Sequence, residues 1–144
     1  HQRSVERRAP AGTRIYLADT TGELKILSQA ADLAFIGKTL PPHNEGQTPI
    51  EAAALGIPLV AGPGTSNFRQ VVDALVEAGG CRRAADADEA RVAILRLLRD
   101  RDARERMSIA ARAWHAANRG ALRKSLERLE ALLPGRRNPA DAAD

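Results

Sequence analysis

Three short polar stretches carry the residue types that binding chemistry needs: D-T-T-G-E at 19–23, G-K-T-L-P-P-H-N-E-G-Q-T at 37–48 and G-P-G-T-S-N at 62–67. Each mixes glycine with hydrogen-bonding side chains, and each stands just before a helical pattern. A helix start offers unpaired backbone N–H groups and the positive end of a dipole, which suits a phosphate. Glycines at 22, 46, 62 and 64 let backbone approach a ligand closely. Glu23 and Glu51 could accept hydrogen bonds from ribose hydroxyls. Both also fit the capping-box spacing, Thr20-x-x-Glu23 and Thr48-x-x-Glu51, so helix capping accounts for them equally well. Asn44, Gln47, Ser66 and Asn67 can orient a sugar or nucleotide, or satisfy turns. His43, alone among loop prolines, reads as an exposed side chain.

Catalytic signatures are missing. No nucleophile triad is visible, no histidine pair has metal-ligand spacing, and the loops contain neither a P-loop nor a GxGxxG after a strand. The polar stretches read as a donor or cofactor site without catalytic groups of its own.

The elements that must position these stretches follow from hydropathy. Ile15–Ala18, Leu33–Ile36 and Ile57–Ala61 are apolar runs that predict buried strands, and Cys81–Ala85 predicts a fourth, short edge strand. Between them lie helix patterns. One starts at Thr20. One has Thr48 at the N-cap, Pro49 at the first helical position and Glu51 at the third, and is stopped by Gly56 and Pro58. One spans about 67–78 and ends at Gly79-Gly80. From Asp86 onward the spacing predicts helices at 87–99, 102–118 and 120–133, with leucine stripes. Near-continuously apolar strands alternating with helices make a parallel α/β sheet. In such sheets ligands bind at the carboxyl ends of the strands, where all three polar stretches fall. They are expected on one edge.

Composition bounds the rest. The chain has 144 residues, 44% hydrophobic and 28% charged, which suggests one globular domain. Aromatics are only 3%, so the core must be built from Ala, Leu, Ile and Val, and base-stacking nucleic-acid modules are disfavoured. The net charge of +4 is concentrated at the ends, with Arg3, Arg7, Arg8 and Arg14 in front and Arg119, Arg123, Lys124, Arg128, Arg136 and Arg137 behind. This suits an anionic surface, though single arginines interleaved with Glu127 and Glu130 read as solvated helix faces. The one cysteine, Cys81, cannot form an internal disulfide and reads as a small buried residue at a strand start, in a reducing compartment. No apolar stretch approaches the roughly 18 residues of a membrane span.

The run from D-T-T-G-E-L, through A-A-D-L-A-F-I-G-K-T-L, to Q-T-P-I-E-A-A-A-L-G-I-P and G-P-G-T-S-N-F-R resembles the C-terminal half of 3-deoxy-D-manno-octulosonic acid (Kdo) transferases, two-domain GT-B glycosyltransferases. The resemblance covers roughly residues 15 to 125 and includes A-R-A-W-H-A-A-N-R-G-A, with its Asn-x-Gly turn. It implies transfer of Kdo from CMP-Kdo to a lipid A precursor, peripherally at the cytoplasmic face of the bacterial inner membrane, with no other cofactor and no nucleic-acid partner. The family's D-T-M-G-E-L falls on Asp19–Leu24 and places Gly22 and Glu23 against the CMP moiety. Its G-G-S-L falls on Gly37–Leu40, so Lys38 replaces a glycine. Its G-G-H-N-x-L-E falls on Glu45–Glu51: Glu45 replaces a glycine, Gln47 and Thr48 replace His and Asn, and Glu51 matches the residue expected to hold the ribose. G-P-x-x-x-N-F is kept at Gly62, Pro63, Asn67 and Phe68.

The fold expected is thus α/β, a partial Rossmann-like parallel sheet of three to four strands flanked by helices, with a helical C-terminal third. Residues 1–14 are an irregular lead-in, 15–133 the GT-B C-terminal domain, incomplete at its N-terminal side, and 134–144 a disordered tail. The expected donor contacts are Thr20, Gly22, Glu23, Gly37, Lys38, Gly46, Gln47, Thr48, Glu51, Gly64, Ser66 and Asn67, with no catalytic residue and no metal ligand. The acceptor site and the catalytic carboxylate belong, by the resemblance, to an N-terminal domain outside this sequence, which makes the chain a fragment. The alternative is a free-standing, non-catalytic nucleotide-sugar or partner-binding module; the length of the native reading frame separates the two. Nucleic-acid binding through the basic ends is a weaker third idea that steep salt dependence would expose.

Overall fold

Leu59, Val60 and Ala61 form the strand around which everything else is placed, and all three are fully buried. In the computed structural model, which describes residues 1–132, this strand (β2, Leu59–Ala61) lies between β1 (Ala34–Phe35) and β3 (Cys81–Arg83). Both pairings are parallel, with Ala34 opposite Leu59 and Leu59 opposite Cys81. Successive side chains of a strand face opposite sides, so the central strand needs cover on both. Leu59, Ala61 and Cys81 join Ile36, Ala53, Val72, Leu75 and Ala111 on one side. Val60 joins Ala84, Ala90, Ala93 and Leu97 on the other.

The first side is covered by α2 (Ile50–Leu55), α3 (Arg69–Glu77) and α5 (Arg101–Asn118), the second by α4 (Ala87–Arg99). Gly56 ends α2 in the left-handed conformation (φ 70°), as its position before Pro58 predicts. Asp86 caps α4 by accepting from the Glu89 amide at 2.8 Å, and Asp100 caps α5 by accepting from Ala103 at 2.8 Å. Arg104 donates to the Leu97 and Leu98 carbonyls at 2.6 and 2.9 Å, which satisfies the end of α4. Helix α6 (Ala121–Leu132) completes the helical C-terminal third. The tail expected over 134–144 lies outside the described residues. Among those described, no helix is long and apolar enough to cross a membrane.

Cys81 opens β3, buried as expected, and burial pushes its thiol up to about 12. The sheet therefore has three strands, because the strand expected at Ile15–Ala18 does not form. Only an isolated parallel bridge joins Leu17 to Gln2, and Ile15 and Leu17 are 79% and 55% exposed. An apolar run becomes a strand only where a neighbour offers a ladder and a face to bury, and among the described residues this run hydrogen-bonds along its backbone to His1 and Arg3.

Those first residues are held by ion pairing and hydrogen bonding. The Ser4 amide and hydroxyl donate to Asp19 at 2.9 and 2.6 Å, and Gln2 Nε2 donates to it at 2.6 Å. Arg3 grips Glu23 with two bonds of 3.0 and 2.6 Å. The Ser4 hydroxyl, then Gln2, hold the Asp19 carboxyl down at about 2, and Arg3, then Thr20, hold Glu23 at about 2. A lowered carboxyl stabilises above its unfolded value, near 4, and that contribution is lost as pH falls through the folded value. The attachment of residues 1–4 should thus be full at about pH 5 and weaken toward about pH 2. The Ser4 amide resonance, followed by NMR, should shift across that window, whereas a Ser4 amide indifferent to it would exclude this acid release.

Candidate functional site

The chain leaves β1 through Gly37 and folds back on itself. The Gly46 amide donates to the Lys38 carbonyl at 2.9 Å, and the Gln47 amide to the Gly37 carbonyl at 3.1 Å. The loop that leaves β2 is laced to it by four hydrogen bonds: Gly62 N to Thr39 Oγ1 at 2.8 Å, Gly64 N to Thr39 O at 2.9 Å, Ser66 N to Asn44 O at 2.8 Å and Asn67 N to Glu45 O at 3.1 Å. Thr39 is the keystone. It is fully buried, and its hydroxyl also donates to the Ile36 carbonyl at 2.6 Å. Its importance was not legible from the sequence, because its partner Gly62 lies 23 positions away and a threonine in a polar loop carries no periodic signal.

The glycines pack the two loops together. A Cβ at Gly62 would lie 2.2 Å from the Thr39 carbonyl oxygen, and one at Gly64 would lie 2.5 Å from Asn44 Cα. Gly46 adopts φ 69° and is buried beside Gly64 O. These three glycines let the loops approach each other closely. Gly22 (φ 85°) has open space around it, and Gly37 makes only an ordinary contact with Gln47.

Lacing the loops uses backbone and leaves side chains free. The side chains of Gln47, Glu51, Ser66 and Asn67 are exposed at this edge of the sheet and, among the described residues, make no hydrogen bond or ion pair. The expected cap of α2 is displaced by one residue: Pro49 is the N-cap, and Thr48 Oγ1 accepts a long 3.4 Å bond from Ile50 N. Glu51 becomes the second helical residue and caps nothing. Its carboxylate, in the first turn of α2, is therefore available to a ligand.

The 19–23 stretch does not join this edge by any hydrogen bond. Helix α1 (Leu24–Ser28) starts at Leu24 with Glu23 as its N-cap, and no side-chain cap forms. The Thr20 hydroxyl donates to the Glu23 carboxylate at 2.5 Å instead of accepting from the backbone. Glu23 is already gripped by Arg3, and the pairing of β1 with β2 places the 37–48 and 62–67 loops on one edge.

Charge is concentrated at one point of the laced loops. Glu45 Oε2 accepts from the Asn44 amide at 3.0 Å, while Oε1 faces both Lys38 Nζ at 3.6 Å and His43 Nδ1 at 3.3 Å. The backbone N–H groups of Glu45 and Asn44, then His43 and Lys38, hold this carboxyl below its ordinary value. Among the described residues, no group of three His, Cys, Asp or Glu side chains is placed to hold a metal ion. The edge offers amide, hydroxyl and carboxylate groups around a rigid backbone, an arrangement that can bind a polar, hydroxyl-bearing ligand.

The family described as "Glycosyl transferases group 1" matches residues 2–114. A 3-deoxy-D-manno-octulosonic acid transferase from Bordetella pertussis is 42% identical over 116 residues, covering 81% of this chain and 27% of that protein. Its counterpart from Haemophilus influenzae is 33% identical over 133 residues, covering 92% of this chain and 31% of that protein. The chain thus spans about a third or less of the length of these relatives. The crystal structure of the C-terminal CMP-Kdo binding domain of WaaA from Acinetobacter baumannii superimposes with a TM-score of 0.72 at 30% identity, covering 79% of this chain and 59% of that one.

Proposed function

The chain belongs to the group 1 glycosyltransferases and carries part of a GT-B C-terminal domain, and from that premise we propose that it is the donor-binding portion of a Kdo transferase. The donor is CMP-Kdo. The acceptor is a lipid A precursor, held by another part of a longer protein, and the work is done peripherally at the cytoplasmic face of the inner membrane in lipopolysaccharide biosynthesis. What carries this reading is the laced pair of loops at the carboxyl edge of a parallel sheet, with the side chains of Glu51, Gln47, Ser66 and Asn67 left without a partner among the described residues. Glu51 takes the ribose hydroxyls, which donate to its carboxylate. Gln47, Thr48, Ser66 and Asn67 supply donors and acceptors for the rest of the nucleotide, and Gly37, Gly46 and Gly64 shape the backbone around it. Thr20 and Gly22 complete the donor contacts, and Glu23 joins them by exchanging Arg3 for the donor. The similarity to a CMP-Kdo binding domain supports cytidine as the base.

Calorimetric titration with CMP, UMP, AMP and GMP tests this. CMP should bind at least about tenfold more tightly than the others, a difference of about 1.4 kcal/mol. Equal binding of all four, or of none, would sink the assignment. The same 144-residue chain should not transfer sugar from CMP-Kdo, since inverting transfer needs a base at the acceptor hydroxyl and no such group is assigned here. Turnover by the purified chain would show that a base has been overlooked.

A further inference from the structure

Lys38 is the only non-glycine residue with positive φ among those described (57°), a conformation that glycine adopts without steric cost. It also stands where the resembling family has glycine, and so does Glu45, seven positions on. The two substitutions have opposite charge and face each other at 3.6 Å. The pairing itself does not account for them. Their side chains are 51% and 35% exposed, and an ion pair of that length and exposure contributes little to stability. Backbone strain that stability does not explain points to function.

The geometry narrows that function. The Lys38 carbonyl is pinned by the Gly46 amide, so its backbone is fixed at the mouth of the laced loops. Glu45 is fixed as well, since its amide neighbour Asn44 donates to Oε2 and its carbonyl accepts from Asn67 N. Its remaining oxygen, Oε1, lies 3.6 Å from the Lys38 ammonium and 3.3 Å from His43 Nδ1. A carboxylate oxygen held against the Lys38 ammonium at the entrance of a site occupies the place that a ligand's anionic oxygen would take.

We propose that Glu45 is a resident counter-ion for Lys38, displaced when an anionic oxygen of the donor, phosphate or sugar carboxylate, binds Lys38 in its place. The proposal rests on the nucleotide-sugar reading of this site and adds to it an ion exchange between two residues of the laced loop. The incoming anion replaces one screened, half-exposed ion pair with another, so the exchange costs little desolvation. Glu45 also sets a threshold, because a neutral ligand gains nothing from Lys38.

The test compares cytidine, CMP and CMP-Kdo by calorimetry at low ionic strength, against the unaltered chain, Glu45→Gln, Lys38→Gly and the double variant. Glu45→Gln should raise the affinity for CMP about threefold to tenfold and leave cytidine unchanged, and that gain should vanish in the Lys38→Gly background. Gain of affinity is the discriminating sign, since general damage to the loop would lower it. If the phosphate is the partner, Lys38→Gly lowers the CMP-to-cytidine preference; if the sugar carboxylate is, it lowers only the CMP-Kdo-to-CMP preference and the Glu45→Gln gain appears for CMP-Kdo alone. Lys38→Gly should keep or raise the melting temperature, because glycine relaxes the left-handed backbone. Equal or weaker binding of both anionic ligands by Glu45→Gln overturns the proposal while leaving the nucleotide site standing. Failure of the unaltered chain to bind any of the three removes the site, and the proposal with it.

Discussion

Glu51→Ala should weaken CMP binding by roughly tenfold or more, about 1.4 kcal/mol, and barely change stability. The expectation combines two observations. The carboxylate is exposed and makes no hydrogen bond or ion pair, and the cap it was expected to form with Thr48 is absent. A glutamate in the first turn still interacts with the helix dipole, and losing that costs at most about 1 kcal/mol. Glu51→Gln keeps the size but loses the charge, so it should also weaken CMP, by less than alanine does. Calorimetry gives the affinity and urea denaturation the stability. Intact CMP affinity in both variants would leave Glu51 without a role in the site. A stability loss well above about 1 kcal/mol would restore a capping role that the geometry denies.

Gly62→Ala carries the largest expected loss of stability, about 3 kcal/mol. The added methyl would sit 2.2 Å from the Thr39 carbonyl oxygen and 2.8 Å from its carbon. Backbone cannot swing aside as a side-chain tip can, so the two loops must part, and the Thr39 hydroxyl then loses its bond to the Gly62 amide. CMP binding should fall together with stability, because both loops contribute to the site. Gly37→Ala is the control: its methyl would meet Gln47 Cγ at 3.9 Å, ordinary contact, and stability should change by no more than about 0.5 kcal/mol. Denaturant midpoints of the two variants decide the matter, and similar midpoints would refute the close approach of the loops.

Where local pattern is enough, the sequence could be read directly. The buried run at Leu59–Ala61, the stop at Gly56 and Pro58, the Gly79-Gly80 break and the helices from Ala87 on all follow from hydropathy and from residues with fixed backbone preferences. The polar loops at the carboxyl edge were legible for the same reason, as what remains between strand and helix. What failed were inferences that depend on a distant partner. Ile15–Ala18 has the composition of a strand, but a strand needs a neighbour, and its only bridge is to Gln2. Thr20 and Glu23 have capping-box spacing, but Arg3, twenty positions away, takes the carboxylate. The packing of Gly62 against Thr39 and of Gly64 against Asn44 was hidden for the same reason, since a sequence cannot show which loop lies against which. The pairing of Lys38 with Glu45 became visible only once the loop was folded.

The lacing of the two loops also determines when conformational entropy is lost. A twelve-residue connector left free would have to be ordered at each encounter with a ligand, at roughly 1–2 kcal/mol for each residue fixed. Here Gly46 and Gln47 close the connector onto Gly37 and Lys38, and Thr39, Asn44 and Glu45 bind it to the loop beyond β2. The ordering is therefore settled once, when the protein folds, and its cost is subtracted from the stability of the fold. A ligand meets an edge already ordered and loses none of its contact energy to folding the loops, which is the thermodynamic meaning of a site made in advance.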